Sequence, residues 1–149
     1  MKSFLLDKNY KPTVFWSLVP ENCFFKGEVP ENYHLALCPS ENMVIVDIDK
    51  KGNKNGFLHI ESNILDELFR SYWYYTKSGG AHIFLFYTGN KKLLNKSTSI
   101  GIDLRVGKSG NNNGGYVRYQ GTIPSEEIEP LIKSSSPLLN EWLESLFSN

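Results

Sequence analysis

Two aspartates close an apolar segment in the first third of the chain, and they are the residues best suited to bind a metal ion. In residues 44–49 (VIVDID), Asp47 and Asp49 are separated by a single isoleucine. Because side chains alternate between the two faces of a β-strand, both carboxylates point the same way. Carboxylate oxygens are ligands that hard divalent cations prefer. The pair therefore indicates a metal site at the end of a buried strand.

The alternative is a solvated pair of aspartates at a strand end, which is the commoner meaning of an isolated D-x-D. An EF-hand is excluded, because its loop needs Asp or Asn at the fifth position and an acidic residue at the twelfth. Counted from Asp47, those positions hold Lys51 and Leu58. Like charges side by side repel unless a cation lies between them, so folding alone gives little reason for the pair.

A glycine-rich segment that ends at His82 (TKSGGAH) is a second candidate site. The paired Gly79 and Gly80 allow the backbone to approach a ligand closely and to direct successive N–H groups at an anion. His82 can add a donor to a phosphate oxygen. The alternative is an ordinary hairpin turn with His82 opening the next strand. His34 and His59 lack such surroundings and are assigned to structure.

Residues 101–105 (GIDLR) supply a third candidate. Asp103 and Arg105 project to one face of a strand, opposite the apolar Ile102 and Leu104. Asp103 could be a third carboxylate of the metal site, and Arg105 could reach a phosphate. The alternative is an exposed Asp–Arg pair, which contributes little to stability.

The GKS sequence at residues 107–109 invites comparison with a Walker A loop. That motif needs a glycine five residues earlier, where this chain has Ile102. Its helix cannot follow through the NNNGG run at residues 111–115. A Walker A loop is therefore excluded, although Lys108 remains available to contact a phosphate.

Hydrophobic periodicity predicts the elements that position these residues. The segment 43–49 is the most apolar and is predicted to be a central strand. A C-terminal helix over residues 136–148 is predicted to begin with Ser136 as its N-cap and Pro137 in its first turn. Many strands with few, non-alternating helices predict an α+β fold with a mixed or antiparallel sheet. The other predicted elements are strands at residues 13–19, 33–38, 72–76, 82–87, 102–106 and 116–119, and a helix at residues 57–70.

Composition narrows the class of protein. A chain of 149 residues is long enough for one domain with a substantial core. With 16 basic and 16 acidic residues, it lacks the excess positive charge of a protein that grips duplex DNA by many phosphates. No apolar run approaches the roughly 20 residues of a membrane helix, and the N-terminus lacks signal-peptide features. Cys23 and Cys38 match no metal-binding spacing, which indicates a reduced, intracellular protein.

The order of these segments resembles the archaeo-eukaryotic primase superfamily, and within it the prim-pol domain of bifunctional primase-polymerases from phages and plasmids. The shared features are an apolar strand ending in D-x-D, then S-G-G-x-H opening a strand, then G-I-D-L-R, then a glycine-rich turn into G-Y-V and a P-S. They correspond to residues 44–49, 76–86, 101–105 and 114–125 of this chain.

The resemblance implies an RRM-like primase-polymerase catalytic core over residues 33–125, preceded by an N-terminal segment at residues 1–32, in a single catalytic domain. It implies that Asp47, Asp49 and Asp103 are catalytic and hold two Mg²⁺ or Mn²⁺ ions. Gly80 stands where the superfamily often has serine, so a backbone N–H would replace a hydroxyl. The implied contacts to the incoming nucleotide are Ser78, Gly79, Gly80, His82, Arg105 and Lys108.

The implied activity is that of a DNA primase/polymerase, which adds nucleotides from nucleoside triphosphates to a 3′-hydroxyl on a single-stranded or primed DNA template. The setting would be phage or plasmid replication in the bacterial cytoplasm, away from membranes. Because the accessory domains that often join such cores have no counterpart here, we expect primer extension rather than de novo priming, with a replicative helicase on a separate chain. Tyr116, Arg118 and Tyr119 are candidates for stacking on template or base.

Two other functions stay open on the sequence. One is a non-catalytic replication accessory module that binds a nucleotide or a single strand. The other is a metal-dependent nuclease, which would use the same carboxylates.

Overall fold

The computed structural model describes residues 1–108 and 114–146, in which a six-stranded sheet is covered on both faces. The helices of this part of the chain are α1 (Ser62–Leu68) and α2 (Pro137–Ser145). The strands are β1 (Lys2–Leu6), β2 (His34–Cys38), β3 (Met43–Ile48), β4 (Lys50–Lys51), β5 (Lys54–Asn55), β6 (Trp73–Tyr75), β7 (Ala81–Phe86), β8 (Lys96–Ser97), β9 (Ile102–Val106), β10 (Val117–Arg118) and β11 (Lys133–Ser134).

The large sheet has the strand order β11-β7-β3-β9-β8, and β6 pairs with the first half of β7, on the edge where β11 pairs with its end. β3 is therefore central and runs antiparallel to both β7 and β9. Only the short β11 is parallel to its neighbour, among the strands described. These pairings confirm the predicted central strand and the α+β class with a mixed sheet.

β3 is buried on both sides, because each face of the large sheet packs on its own apolar core. On one face, Val46 and Leu104 belong to a core that includes Leu68 of α1 and Leu143 of α2. On the other face, Ile45 and Phe84 pack with residues of a smaller sheet, β1-β2-β10, such as Leu37 and Val117. The helices and the small sheet thus sandwich the large one.

The predicted strand at residues 13–19 is wrong. Its middle is a 3-10 turn, Trp16–Leu18, and Trp16 packs on Phe4 and Tyr116 on the outer face of the small sheet. The strand of this region is instead β1, which pairs antiparallel with β2 over its whole length. Periodicity missed β1 because the pairing that stabilises it is made with a strand almost thirty residues away.

The predicted helix at residues 57–70 is correct only in its second part. Residues Gly56–His59 form a 3-10 turn, in which the Asn55 side chain accepts a hydrogen bond from the Phe57 N–H. Ile60 is extended, so α1 begins at Ser62. Leu58 is 79% exposed, so its apolar character misled the periodicity.

The C-terminal helix begins as predicted. The Ser136 hydroxyl accepts a hydrogen bond from the Leu139 N–H at 3.2 Å, and Pro137 occupies the first turn. The predicted end at residue 148 lies outside the described residues, as does Ser109 of the GKS sequence. No helix in the described ranges is long and apolar enough to cross a membrane.

Candidate functional site

The register of the large sheet places four polar side chains in one row. Asp47 on β3 lies opposite His82 on β7 and opposite Asp103 on β9. Tyr74 on β6 lies opposite His82. Directly opposed residues project to the same face, with their Cβ atoms about 4.5–5.5 Å apart. The row Tyr74–His82–Asp47–Asp103 therefore lies on the face that the small sheet covers.

His82 links Tyr74 to Asp47. Its Nδ1 is 2.7 Å from the Tyr74 hydroxyl, and its Nε2 is 3.3 Å from Asp47 Oδ1. These distances fit the His82 tautomer whose Nε2–H donates to Asp47 and whose Nδ1 accepts from the Tyr74 hydroxyl. Burial raises the pKa of Tyr74 well above its usual value, which keeps this hydroxyl protonated. His82 is 5% exposed, so it positions Asp47 from within the core.

Asp103 is held from the opposite side of the row. Its Oδ1 accepts the Thr98 N–H at 3.1 Å, and its Oδ2 lies 3.6 Å from the Arg105 guanidinium. Arg105 also donates to the Leu104 carbonyl. The structure thus brings Arg105 to the carboxylates, as its spacing from Asp103 predicts.

Asp49 follows the last residue of β3 and is fixed by its backbone. Its N–H donates to the Gly101 carbonyl, and its carbonyl accepts from the Gly56 N–H, both at 2.8 Å. Burial raises the pKa of the Asp49 carboxyl, and the charges of Asp47 and Asp103 raise it further. Three carboxylates are therefore close enough to repel one another at one end of the central strand.

Replacing Asp49 by asparagine should raise the melting temperature of the metal-free protein by a few degrees near neutral pH. The pKa of Asp49 is higher in the folded than in the unfolded state, so stability falls as the pH rises from the usual aspartate value through the folded value. Below the usual value both states are protonated and the advantage of Asp49→Asn should vanish. Calorimetry in EDTA from acidic to neutral pH, with the exposed Asp66→Asn as control, measures this; a pH-independent difference would contradict it.

Among residues 1–108 and 114–146, no group of three or more His, Cys, Asp or Glu side chains is arranged so that it could hold a metal ion. Asp47 and Asp103 are engaged instead by His82, Thr98 and Arg105. The chemistry of the donors nevertheless suits a hard cation, because they are all carboxylates. A divalent ion would also relieve the repulsion at Asp49. Binding would require Asp103, whose two oxygens both have partners, to turn away from Thr98 or Arg105, while Asp47 could keep its contact with His82 through Oδ1.

The two glycines build the turn between β6 and β7. The Gly79 N–H donates to the Thr76 carbonyl at 3.0 Å, and the Thr76 N–H donates to the Gly80 carbonyl at 2.9 Å. Gly79 has φ +94, and a Cβ on Gly80 would lie 2.1 Å from the Ile48 carbonyl oxygen. The hairpin alternative therefore accounts for both glycines, and the Gly79 amide is already used. Ser78 is exposed on this turn.

Lys108 does not lie with the carboxylates. Because β9 is antiparallel to β3, the chain beyond Val106 returns to the start of β3, away from Asp47. There Lys108 borders a cavity of about 650 Å³ together with Ser40 and Phe86. The structure therefore separates Lys108 from the other predicted nucleotide contacts.

Sequence reasoning missed three residues of this region. Lys54, in the β4–β5 hairpin, lies close enough to lower the pKa of Asp49. Thr98 binds Asp103, and Tyr74 binds His82. Of the three, only Tyr74 could have been predicted from the sequence, because a tight turn at the paired glycines places it opposite His82.

Comparison with known proteins does not assign the chain to a family. No protein-family model matches it. No curated protein shows significant similarity to its sequence. The functional argument therefore depends on the motifs and on the geometry described above.

Proposed function

We propose that this chain is a metal-dependent nucleotidyltransferase of the primase-polymerase kind, which extends a nucleic-acid 3′-hydroxyl along a template. One observation carries the proposal. Asp47, Asp49 and Asp103 converge at one end of the central strand, where burial raises the pKa of the Asp49 carboxyl and the charges of Asp47 and Asp103 raise it further. Such an arrangement disfavours folding unless a cation uses it.

The three carboxylates would hold two Mg²⁺ or Mn²⁺ ions. When bound, these ions would supply Lewis-acid stabilisation of charge on the reacting phosphate and would favour ionisation of the 3′-hydroxyl. His82, with Tyr74 behind it, would keep Asp47 oriented toward the site. A locked rotamer of this kind is what a preorganised site needs.

The contacts to the triphosphate differ from those expected from the motifs alone. His82 is buried between Tyr74 and Asp47, so we assign it to positioning rather than to direct phosphate contact. Lys54 and Arg105 are the cations beside the carboxylates and would face the phosphates. Guanidinium and ammonium groups suit this role because each offers several donors and a fixed positive charge.

An RRM-like core is part of the same proposal. In its support, β3 lies between two antiparallel neighbours, with helices on one face of the sheet and the carboxylate row on the other. Polar residues on a strand, with an apolar core beneath, provide a rigid base for the site.

Primer extension by the purified protein tests the proposal. A 5′-labelled primer on a longer template should lengthen with nucleoside triphosphates and Mg²⁺ or Mn²⁺, and EDTA should stop the reaction. Parallel reactions with deoxy- and ribonucleotides identify the preferred sugar. Shortening of the primer would favour the nuclease, and metal-dependent nucleotide binding without product would favour the accessory module. Absence of lengthening with either ion would refute the proposal.

A further inference from the structure

Three side chains form a stack on the outer face of the small sheet. The Tyr10 and His34 rings lie nearly parallel at 17°, with 4.3 Å between their centroids. The Arg118 guanidinium carbon is 5.2 Å from the centre of the Tyr10 ring, and Nη1 donates to the Tyr10 hydroxyl at 3.4 Å. Arg118 lies opposite Ala36, two residues from His34 on β2, so both side chains rise from one face. Tyr10 covers them both.

Tyr10 adopts a backbone conformation that folding alone does not favour for its side chain. Its φ is +63, in the left-handed region that Gly or Asn enters readily and a bulky residue does not. The turn is fixed by Asp7, whose carboxylate accepts the N–H groups of Asn9 and Lys11. Tyr10 as a residue is still 49% exposed, so burial offsets little of the cost of this conformation. A strained and half-exposed aromatic residue points to a ligand-binding role.

The surroundings of the stack suit a base and its phosphate. A cavity of about 560 Å³ adjoins it, lined in part by Tyr33, His34 and Arg118, with Glu126 as its acidic residue. Partial burial lowers the pKa of His34, and the charges of Arg118 and Lys77 lower it further. His34 is therefore a neutral aromatic ring at pH 7, while two permanent cations lie near it.

The stack lies at the same end of the molecule as the carboxylates. The Tyr74 hydroxyl is 3.4 Å from the Arg118 carbonyl oxygen. The turn between β6 and β7, which packs against the end of β3 through Gly80, also contacts the segment after β10, where the Lys77 N–H donates to Gln120 at 2.8 Å. A strand that passed from the stack around the β10 edge of the small sheet would reach the β6–β7 turn, which packs against the end of β3.

We propose that Tyr10, His34 and Arg118 form a stacking site for single-stranded nucleic acid. An unpaired base would lie on the open side of the Tyr10 ring, and Arg118 and Lys77 would contact the adjoining phosphates. Duplex is disfavoured because its bases are already stacked and because the chain has no net positive charge. As the place where a template would be held, this site rests on the proposed function, but strand binding needs no catalysis.

Fluorescence anisotropy with a labelled oligodeoxynucleotide, an oligoribonucleotide of the same sequence and a duplex tests the site. Tyr10→Asn removes the ring and suits the left-handed backbone, so it should weaken single-strand binding roughly 5- to 150-fold while the melting temperature stays equal or rises. Tyr10→Phe should retain binding within about twofold, since it keeps the stacking face. Tyr75→Asn, at an exposed tyrosine on the edge strand β6, is the matched control and should bind like the wild type. The tighter of the two single strands identifies the natural one.

Four results would overturn the inference, and the first three are absence of wild-type binding to both single strands, duplex binding as tight as single-strand binding, and unchanged binding by Tyr10→Asn. A lower melting temperature in Tyr10→Asn together with lost binding would assign Tyr10 to folding instead, which also overturns it. The assay contains EDTA and no nucleoside triphosphate, so nucleotidyl transfer cannot influence it. Failure of primer extension would therefore leave this site standing, and failure of this site would leave the carboxylate cluster untouched.

Discussion

Replacing Asp47 and Asp103 together by asparagine should abolish primer extension and leave the protein folded. The two residues are directly opposed on β3 and β9, so the double variant removes charge from the middle of the proposed metal site. Loss of metal-ion stabilisation is expected to lower the rate by about a thousandfold or more. The melting temperature of the metal-free protein should change little, because asparagine still accepts from His82 and Thr98 and repulsion at Asp49 is relieved.

Metal binding gives this prediction a second readout. Ligands that bind only the folded state raise its melting temperature, so Mn²⁺ should stabilise the wild type and not the double variant. Asp66→Asn is a suitable control, because Asp66 is an exposed residue of α1. It should extend primers and respond to Mn²⁺ like the wild type. Extension by the Asp47→Asn, Asp103→Asn protein at the wild-type rate would show that these two carboxylates have no catalytic role.

Substituting Gly80 by alanine should cause the largest loss of stability at this site. The new Cβ would lie 2.1 Å from the Ile48 carbonyl oxygen, and that oxygen belongs to the backbone of the central strand. Overpacking against backbone cannot be relieved by a rotamer change, so we expect a loss of roughly 2–3 kcal/mol. Because the displaced residue lies between Asp47 and Asp49, activity should fall as well. Urea unfolding and primer extension measure the two effects.

Gly52→Asn is the control for this substitution. Gly52 has φ +61, which asparagine tolerates, and a Cβ there would meet no heavy atom within 4 Å. It should therefore unfold at nearly the wild-type urea concentration. If Gly80→Ala instead kept full stability and lost only affinity for nucleotide, the packing argument would be wrong. Gly80 would then be needed for contact with the nucleotide, as its motif predicts.

The parts of the fold that could be predicted depend on neighbours in sequence. The alternation of residues 43–48 places Asp47 on the face opposite Val46 and Ile48, and Asp49 follows directly after the strand. The Ser136 cap and Pro137 start α2 by contacts within one turn. In contrast, β1 and the 3-10 turn at Trp16–Leu18 were mispredicted, because pairing with β2 and packing on Tyr116 decide them.

The candidate site likewise has some features that depend on neighbours in sequence and others that depend on long-range strand pairing. Local spacing identified the carboxylates and the glycine turn, because the residues of each motif (D-x-D, S-G-G-x-H and G-I-D-L-R) lie within a few positions of one another. Register between strands, which no short segment contains, set Asp103 and His82 beside Asp47. The same register places Lys108 at the far end of the sheet, and the separate β4–β5 hairpin places Lys54 near Asp49.

By itself, then, the sequence identified side chains whose chemistry suits metal and phosphate, because residue type and the two-residue period of a strand are local properties. The tertiary structure decided which of them meet. It places His82, which the motif predicts to donate to a phosphate, in the core between Tyr74 and Asp47. It also assembled the Tyr10 stack from three separate segments. Long-range strand pairing makes these choices, and it depends on the whole chain.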